Sequence, residues 1–316
     1  DNEGYLYFKR LLGKKTNMSL LRDLINVCSK HGFLDNNNGH NSKKAKKGIK
    51  IEPLCKEDID YYKDVLKLRS LHAYAQSKEI MNLFELLFDD EVLNHSQNIV
   101  RTVFPDTKKH TTPPHQDYWY IGGNKNTWTT WIPLGDIPKE MGTLAVGKFT
   151  HKIGIVQNRF PADGSGSYSC NVEDEVEWVN GDMEAGDVLV FNCLSLHQAT
   201  DNLTNEIRFS CDFRYQPLTE PVYIRSLKPN MEIISWEEVY EEWDERDDLK
   251  PVYGTVKALR SWNPLWANIE VFINMAKDSY RTKNWRDKGN LKSAEKLVTS
   301  HLRLVAKIAM GYKGYG

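Results

Sequence analysis

Two histidines and one carboxylate define the chemistry this chain can attempt. His115 and Asp117 stand two apart in the segment HTTPPHQDYWYIGG, and His197 closes the apolar stretch GDVLVFNCLSLHQAT. Two imidazoles and a carboxylate capping one face of an octahedral ion leave three positions open, an arrangement that suits Fe(II) and oxygen chemistry. Alternate residues of a strand share a face, so His115 and Asp117 are expected to point together while Gln116 points the other way. His197 is expected at a strand-to-loop edge, beyond the apolar strand Val188, Leu189, Val190, Phe191. A histidine in a strand is ordinarily a satisfied polar residue, and with nine histidines in the chain an HxD spacing alone carries little weight.

Arg208, eleven residues beyond His197, supplies the weight. Ile207, Phe209, Cys211 and Phe213 alternate with Arg208, Ser210 and Asp212, which predicts a strand with one apolar and one polar face. An arginine turned into a barrel mouth is an unpaired buried charge unless an anion meets it, and its planar fork matches a carboxylate. A dicarboxylate co-substrate is therefore expected.

The HQD triplet, the histidine of SLHQAT, the arginine that follows and the connecting TWTTWIPLGDIPKEMGTLAV together resemble the Fe(II)/2-oxoglutarate dioxygenases of the phytanoyl-CoA dioxygenase type, from about Gly4 to Gln216. The resemblance implies that His115, Asp117 and His197 ligate Fe(II) and that Arg208 binds the distal carboxylate of 2-oxoglutarate, with a hydrogen bond from Ser210. Thr129 and Trp131 are weaker candidates for lining the co-substrate pocket. It further implies O2 as co-substrate, release of succinate and CO2, and a small-molecule substrate. The fold it implies is mainly β with flanking helices: a double-stranded β-helix, or jelly-roll barrel, at about residues 98–216, with helices N- and C-terminal to it.

Two departures from the family pattern stand out. Gly147, Lys148, Phe149, Thr150 and His151 replace the usual Pro-Gly-Ser-His turn, and Ala199 stands where many relatives carry a serine. Asp117 is present where halogenating relatives have a small residue, which favours hydroxylation or desaturation. Tyr118, Trp119, Tyr120, Trp128 and Trp131 make the region around the ligands rich in aromatics, at least half of them expected as ordinary packing. Two other readings remain: a cupin-like metal-binding jelly roll without 2-oxoglutarate turnover, in which Arg208 is structural, and a transcription-associated protein acting through its tail.

The elements that must position these residues fit a large core. At 316 residues and 40% hydrophobic content, one large domain with added elements is expected rather than two equal ones. The 42 basic and 43 acidic residues give a net charge of −1, which offers no electrostatic case for nucleic acid or membrane. Five cysteines without a CxxC pair read as reduced thiols of a cytoplasmic protein. No apolar run approaches about 18 residues, so no membrane span is expected. The chain opens at Asp1 rather than methionine and reads as a fragment.

Helical spacing marks residues 19–29, with Gly32 as a C-terminal cap, and residues 77–90. Residues 36–47, nearly free of apolar side chains, read as a solvated loop, and residues 163–167 as a long turn. Lys108, Lys109, His110 and Lys125 are basic positions near the ligand segment that an acyl-CoA phosphate would need. Ser235 and Glu238 form a capping box opening a helix expected to run through Trp243. The oxygenase domain is expected over residues 1–280. Residues 281–316 form an amphipathic helical tail, and LVTSHLRLVAKIAMGYKGYG there resembles an early region of bacterial heat-shock-type RNA polymerase sigma factors. A joined reading frame, a truncated fusion and a plain amphipathic helix all fit that segment.

Overall fold

The computed structural model describes residues 3–35, 42–49, 55–105, 111–159, 169–170 and 175–250. The turn at 163–167, the basic positions Lys108, Lys109 and His110, part of the 36–47 loop and the whole 281–316 tail lie outside the described residues.

The strands are β1 (Tyr5–Phe8), β2 (Val92–Asn94), β3 (Ile99–Val103), β4 (Trp128–Pro133), β5 (Leu144–Gly147), β6 (Asn158–Arg159), β7 (Ser169–Cys170), β8 (Trp178–Val179), β9 (Val188–Asn192), β10 (His197–Ala199) and β11 (Arg208–Pro217). All pairings between them are antiparallel. A large sheet runs β1-β9-β4-β11-β2, with β3 also against β11, and a small sheet runs β10-β5-β8. A single bridge between His115 and His197 joins the ligand segment to the small sheet. This is the mainly β jelly-roll architecture with flanking helices that the sequence implied.

The large sheet has two faces because its strands alternate, and cross-strand partners share a face. Ile132, Val188, Val190, Phe209, Cys211, Phe213 and Tyr215 face outward, packed with the helices in one apolar core. Trp131, Leu189 and Phe191 face inward against Leu144 and Val146 of the small sheet. The helices are α1 (Lys14–Lys30), α2 (Lys56–Leu66), α3 (Arg69–Ala75), α4 (Lys78–Phe88), α5 (Tyr118–Ile121) and α6 (Trp236–Val239). Leu20, Leu24, Leu71, Tyr74, Ile80 and Phe84 of α1, α3 and α4 are fully buried against the outward face. Phe84 stacks on Tyr215 with ring centroids 4.4 Å apart. Gly32 follows α1 at φ +71, the left-handed position that glycine occupies without strain.

Three expectations change. The barrel sheet begins well before residue 98, since β1 pairs with β9 and β2 with β11. The capping box of Ser235 and Glu238 is formed, but α6 stops at Val239, where Tyr240 and Trp243 turn back to pack on one another. His115 lies in an isolated bridge, and Asp117 is the N-terminal cap residue of the one-turn helix α5, with φ −61 and ψ −27. The chain thus leaves extended geometry between the two ligands.

Candidate active site

His115, Asp117 and His197 nevertheless converge. One donor atom from each lies within 4.8 Å of the others, and all three residues are buried. Asp117 Oδ1 is 3.9 Å from His115 Nε2 and 3.7 Å from His197 Nε2. Each ring is oriented from behind. His115 Nδ1 is 2.8 Å from the Pro113 carbonyl and His197 Nδ1 is 3.0 Å from the Ser195 carbonyl. A carbonyl can only accept, so the proton sits on Nδ1 and the Nε2 lone pairs face the shared space, the tautomer that metal ligation requires.

The electrostatics suit a cation. Burial pushes His115 down to about 3, with His197 adding to the effect, and burial lowers His197 as well. Both rings are neutral near pH 7 and available as ligands. Burial opposes the charge on Asp117, but the Arg214 guanidinium together with His197 and His115 outweighs it and holds the carboxyl well below the usual carboxylate range. Two neutral imidazoles and one carboxylate are a donor set that fits Fe(II).

Arg208 lies on the inward face of β11, 2% exposed. Its Nη1 donates to the Gly142 carbonyl at 2.7 Å, and its guanidinium lies over the Trp131 ring, 5.7 Å from the centroid. Gly142 itself sits at φ +84, and a Cβ there would stand 2.4 Å from the Thr200 carbonyl oxygen, so only glycine presents that carbonyl. Arg208 Nε and Ser210 Oγ are buried with no hydrogen-bond partner among the described residues. Burial lowers Arg208 to about 10, the sign of a cation short of anionic partners. Two orphaned polar groups side by side on one strand face fit an absent carboxylate, since buried polar groups are otherwise satisfied.

The remaining predicted positions fall differently. Thr129 donates its hydroxyl to Asp117 Oδ2 at 2.6 Å, so its described contact is with the candidate metal ligand. Trp131 acts as a platform under Arg208. Tyr120 packs edge-on to His115, whereas Trp128 joins the outward core. His151 lies in the short 3-10 turn Thr150–Ile153, outside the ligand group. Lys125 lies in an exposed turn.

Two functional residues escaped the sequence reading. Arg214 grips Asp117 through Nε and Nη2 at 3.0–3.2 Å. Its signal was present, because it shares the parity of Arg208 along β11. Gln116, between the ligands, donates to the carbonyls of Gly154 and Leu194 at 2.7 Å and accepts from Val156 N at 2.9 Å. It pins the ligand turn to two neighbouring loops.

Comparison with known proteins agrees with this geometry. Over 253 residues, 72% of this chain and 83% of the relative, the chain is 26% identical to 1-deoxypentalenic acid 11-beta-hydroxylase of Streptomyces arenae. The solved structure of the epimerase SnoN, in complex with Fe3+, alpha ketoglutarate and nogalamycin RO, covers 70% of this chain and 82% of its own at TM-score 0.51 and 17% identity, which shows a shared fold. A separate match of 34 residues, 11% of each chain, is 68% identical to RNA polymerase sigma factor RpoH of Rhizobium radiobacter, so the chain also carries a sigma-factor-like fragment. The phytanoyl-CoA dioxygenase (PhyH) model matches residues 1–210, most of the chain and both ligand segments, so the chain belongs to the PhyH family and is an Fe(II)/2-oxoglutarate-dependent dioxygenase.

Proposed function

We propose that this dioxygenase hydroxylates an unactivated C–H bond of a small molecule, converting O2 and 2-oxoglutarate to succinate and CO2 as one oxygen atom enters the substrate. The observation that carries the co-substrate assignment is the buried Arg208, whose Nε, with Ser210 Oγ, lacks a partner among the described residues of a domain that also gathers a His-Asp-His donor set. His115, Asp117 and His197 hold the iron, which supplies oxygen activation. Arg208 and Ser210 bind and orient the distal carboxylate of 2-oxoglutarate, the guanidinium fork fixing its rotation. Trp131 limits where that fork can lie. Leu189, Phe191, Leu144 and Val146 keep water from the inner wall. The hydroxylase relative supports a small-molecule substrate, and a net charge of −1 over the whole chain gives no electrostatic case for a nucleic-acid or membrane partner. Five free thiols suit a cytoplasmic enzyme. No helix of the described residues is long and apolar enough to cross a membrane.

The test is anaerobic titration of Fe(II)-loaded protein with 2-oxoglutarate, following the visible metal-to-ligand charge-transfer band. The band is expected in the wild type and should weaken or vanish in His197→Ala and Arg208→Ala. Folded, iron-loaded wild type without a band would instead favour a cupin-like metal site. In the same reading residues 1–280 are the oxygenase and residues 281–316 take no part in turnover. A chain ending at residue 280 should keep wild-type succinate release, and its loss would count against that division.

A further inference from the structure

We propose that Arg214 and Thr129 are positioning residues that fix Asp117 as a one-oxygen metal ligand and so keep one coordination position free; the inference rests on the iron and 2-oxoglutarate reading above. The two carboxylate oxygens are treated unequally. Oδ2 receives three hydrogen bonds: from Thr129 Oγ1 at 2.6 Å, Arg214 Nη2 at 3.1 Å and Arg214 Nε at 3.2 Å. Oδ1 receives one, from Arg214 Nη2 at 3.0 Å, and is the oxygen nearest the two histidine Nε2 atoms. A carboxylate oxygen offers about two lone-pair directions. Three donors saturate Oδ2, whereas Oδ1 keeps a direction open toward the histidines.

The sheet itself builds this clamp. Thr129 of β4 and Arg214 of β11 are cross-strand partners, so both side chains leave the same inward face side by side. Both residues are buried, at 1% and 3% exposure, and Asp117 is equally enclosed. Swinging Oδ2 toward a metal would give up three hydrogen bonds, two of them from a guanidinium, in a site of low dielectric where such bonds are strong.

The consequence follows from counting positions. Three protein ligands leave three positions of an octahedron, and a 2-oxoglutarate held by its keto oxygen and C1 carboxylate takes two. A second oxygen from Asp117 would take the last, leaving none for O2. The clamp therefore acts on reactivity rather than on the presence of the metal.

Mn(II) accepts the same octahedral ligand set and reports its bound water through the relaxation of solvent protons. In the Mn(II)-loaded protein, 2-oxoglutarate should lower the wild-type relaxation enhancement but leave the contribution of one exchangeable water. In Arg214→Lys, which keeps the charge and loses the fork, and in Thr129→Val, which matches threonine in shape, that last contribution should disappear. Thr129→Ser should restore it. With iron, both disrupted variants should lose about 10- to 100-fold in kcat while KM for 2-oxoglutarate holds. Thr129→Val protein that binds Mn(II) and keeps wild-type relaxation with 2-oxoglutarate overturns the clamp, whether or not Arg214→Lys folds. If 2-oxoglutarate leaves wild-type relaxation unchanged, the co-substrate reading fails first and the clamp loses its basis.

Discussion

On the outward side of β11, Phe209, Cys211, Phe213 and Tyr215 pack into the hydrocarbon of α1, α3 and α4. On the inward side of the same strand stand Arg208, Ser210, Asp212, Arg214 and Gln216, and all ten residues of the strand are buried. Equal burial thus has opposite chemical content. The outward face is complete in itself, since apolar burial asks for no particular partner beyond good packing. The inward face must be satisfied group by group, and it is satisfied unevenly. Gln216 meets His95 at 2.8 Å, Arg214 meets Asp117, and Asp212 meets Arg101 through Oδ2 at 2.7 Å, but Arg208 Nε, Ser210 Oγ and Asp212 Oδ1 find no hydrogen-bond partner among the described residues. Polar completeness falls along one strand toward Arg208, the end at which the proposed co-substrate carboxylate would bind.

Breaking the satisfied part of the inward face should have the largest effect. Asp117→Ala removes a proposed metal ligand and leaves Arg214 buried without its partner, a change that typically costs about 3–5 kcal/mol. Turnover should fall to background, and denaturant unfolding of the metal-free variant should show the stability loss. A metal-free variant as stable as wild type would mean that the Arg214 pair adds nothing to the fold.

The unsatisfied part should behave in the opposite sense. Arg208→Met replaces a buried cation that has no carboxylate partner among the described residues by a flexible apolar side chain of similar length. The metal-free, ligand-free protein should become more stable, because the desolvation cost of the charge disappears. Affinity for 2-oxoglutarate should drop by about 30-fold or more, equivalent to roughly 2 kcal/mol for one side of a buried charge pair. Melting temperature with and without 2-oxoglutarate separates the two effects. A variant less stable in both conditions would show that Arg208 is structural, as a cupin-like reading requires.

The outward face offers a milder contrast. Phe213→Leu keeps an apolar side chain against Tyr74, whose ring lies 6.1 Å from that of Phe213, and should cost about 1–1.5 kcal/mol. Co-substrate affinity should not move, and isothermal titration of the two proteins would check it. A shift there would mean that the two faces are not independent.

The alternation that divides these faces was legible in the sequence, because a polar residue at every second position of an apolar run has no local explanation except a two-faced strand. Arg208 was legible for that reason, whereas His115, Asp117 and His197 were singled out by residue type, spacing and family resemblance. Arg214 shares the parity, but its partner Asp117 is 97 positions away, and no local pattern announces such a pair. The strand assignment at HQD failed because a three-residue stretch has too little period to reveal that the backbone turns into α5 at Asp117. Tyr5–Phe8 shows no polar alternation, so only its pairing with β9 defines it as a strand. Helices α1 and α4 were recovered, since they carry their apolar residues at a spacing that only a helix turns to one side, whereas α2 and α3 were not anticipated.

An effect of similar size to that of Phe213→Leu lies in the outer layer, at a buried titratable residue. His72 of α3 is 1% exposed, with Nε2 2.9 Å from the Leu66 carbonyl, Nδ1 3.2 Å from Asn98 Nδ2, and the rings of Trp236 and Trp243 against it. Burial lowers it from 6.5 to about 4, against a smaller opposing effect of the Leu66 carbonyl. The folded protein therefore keeps this ring neutral between those values, while the unfolded chain takes up a proton as pH falls below 6.5. Stability from His72 is intact above pH 7, declines from about 6.5 to 4, and changes no further once both states are protonated. Between pH 7.5 and 5.5 the loss comes to about 1.3 kcal/mol. His72→Gln, which keeps a polar side chain without a titrating ring, should remove that much of the pH-dependent drop in denaturant stability of the metal-free protein. The inward histidines, held neutral for a metal, would still contribute their own pH dependence in both proteins. An identical drop in wild type and variant would mean that His72 contributes nothing to the acid sensitivity of the fold in this range.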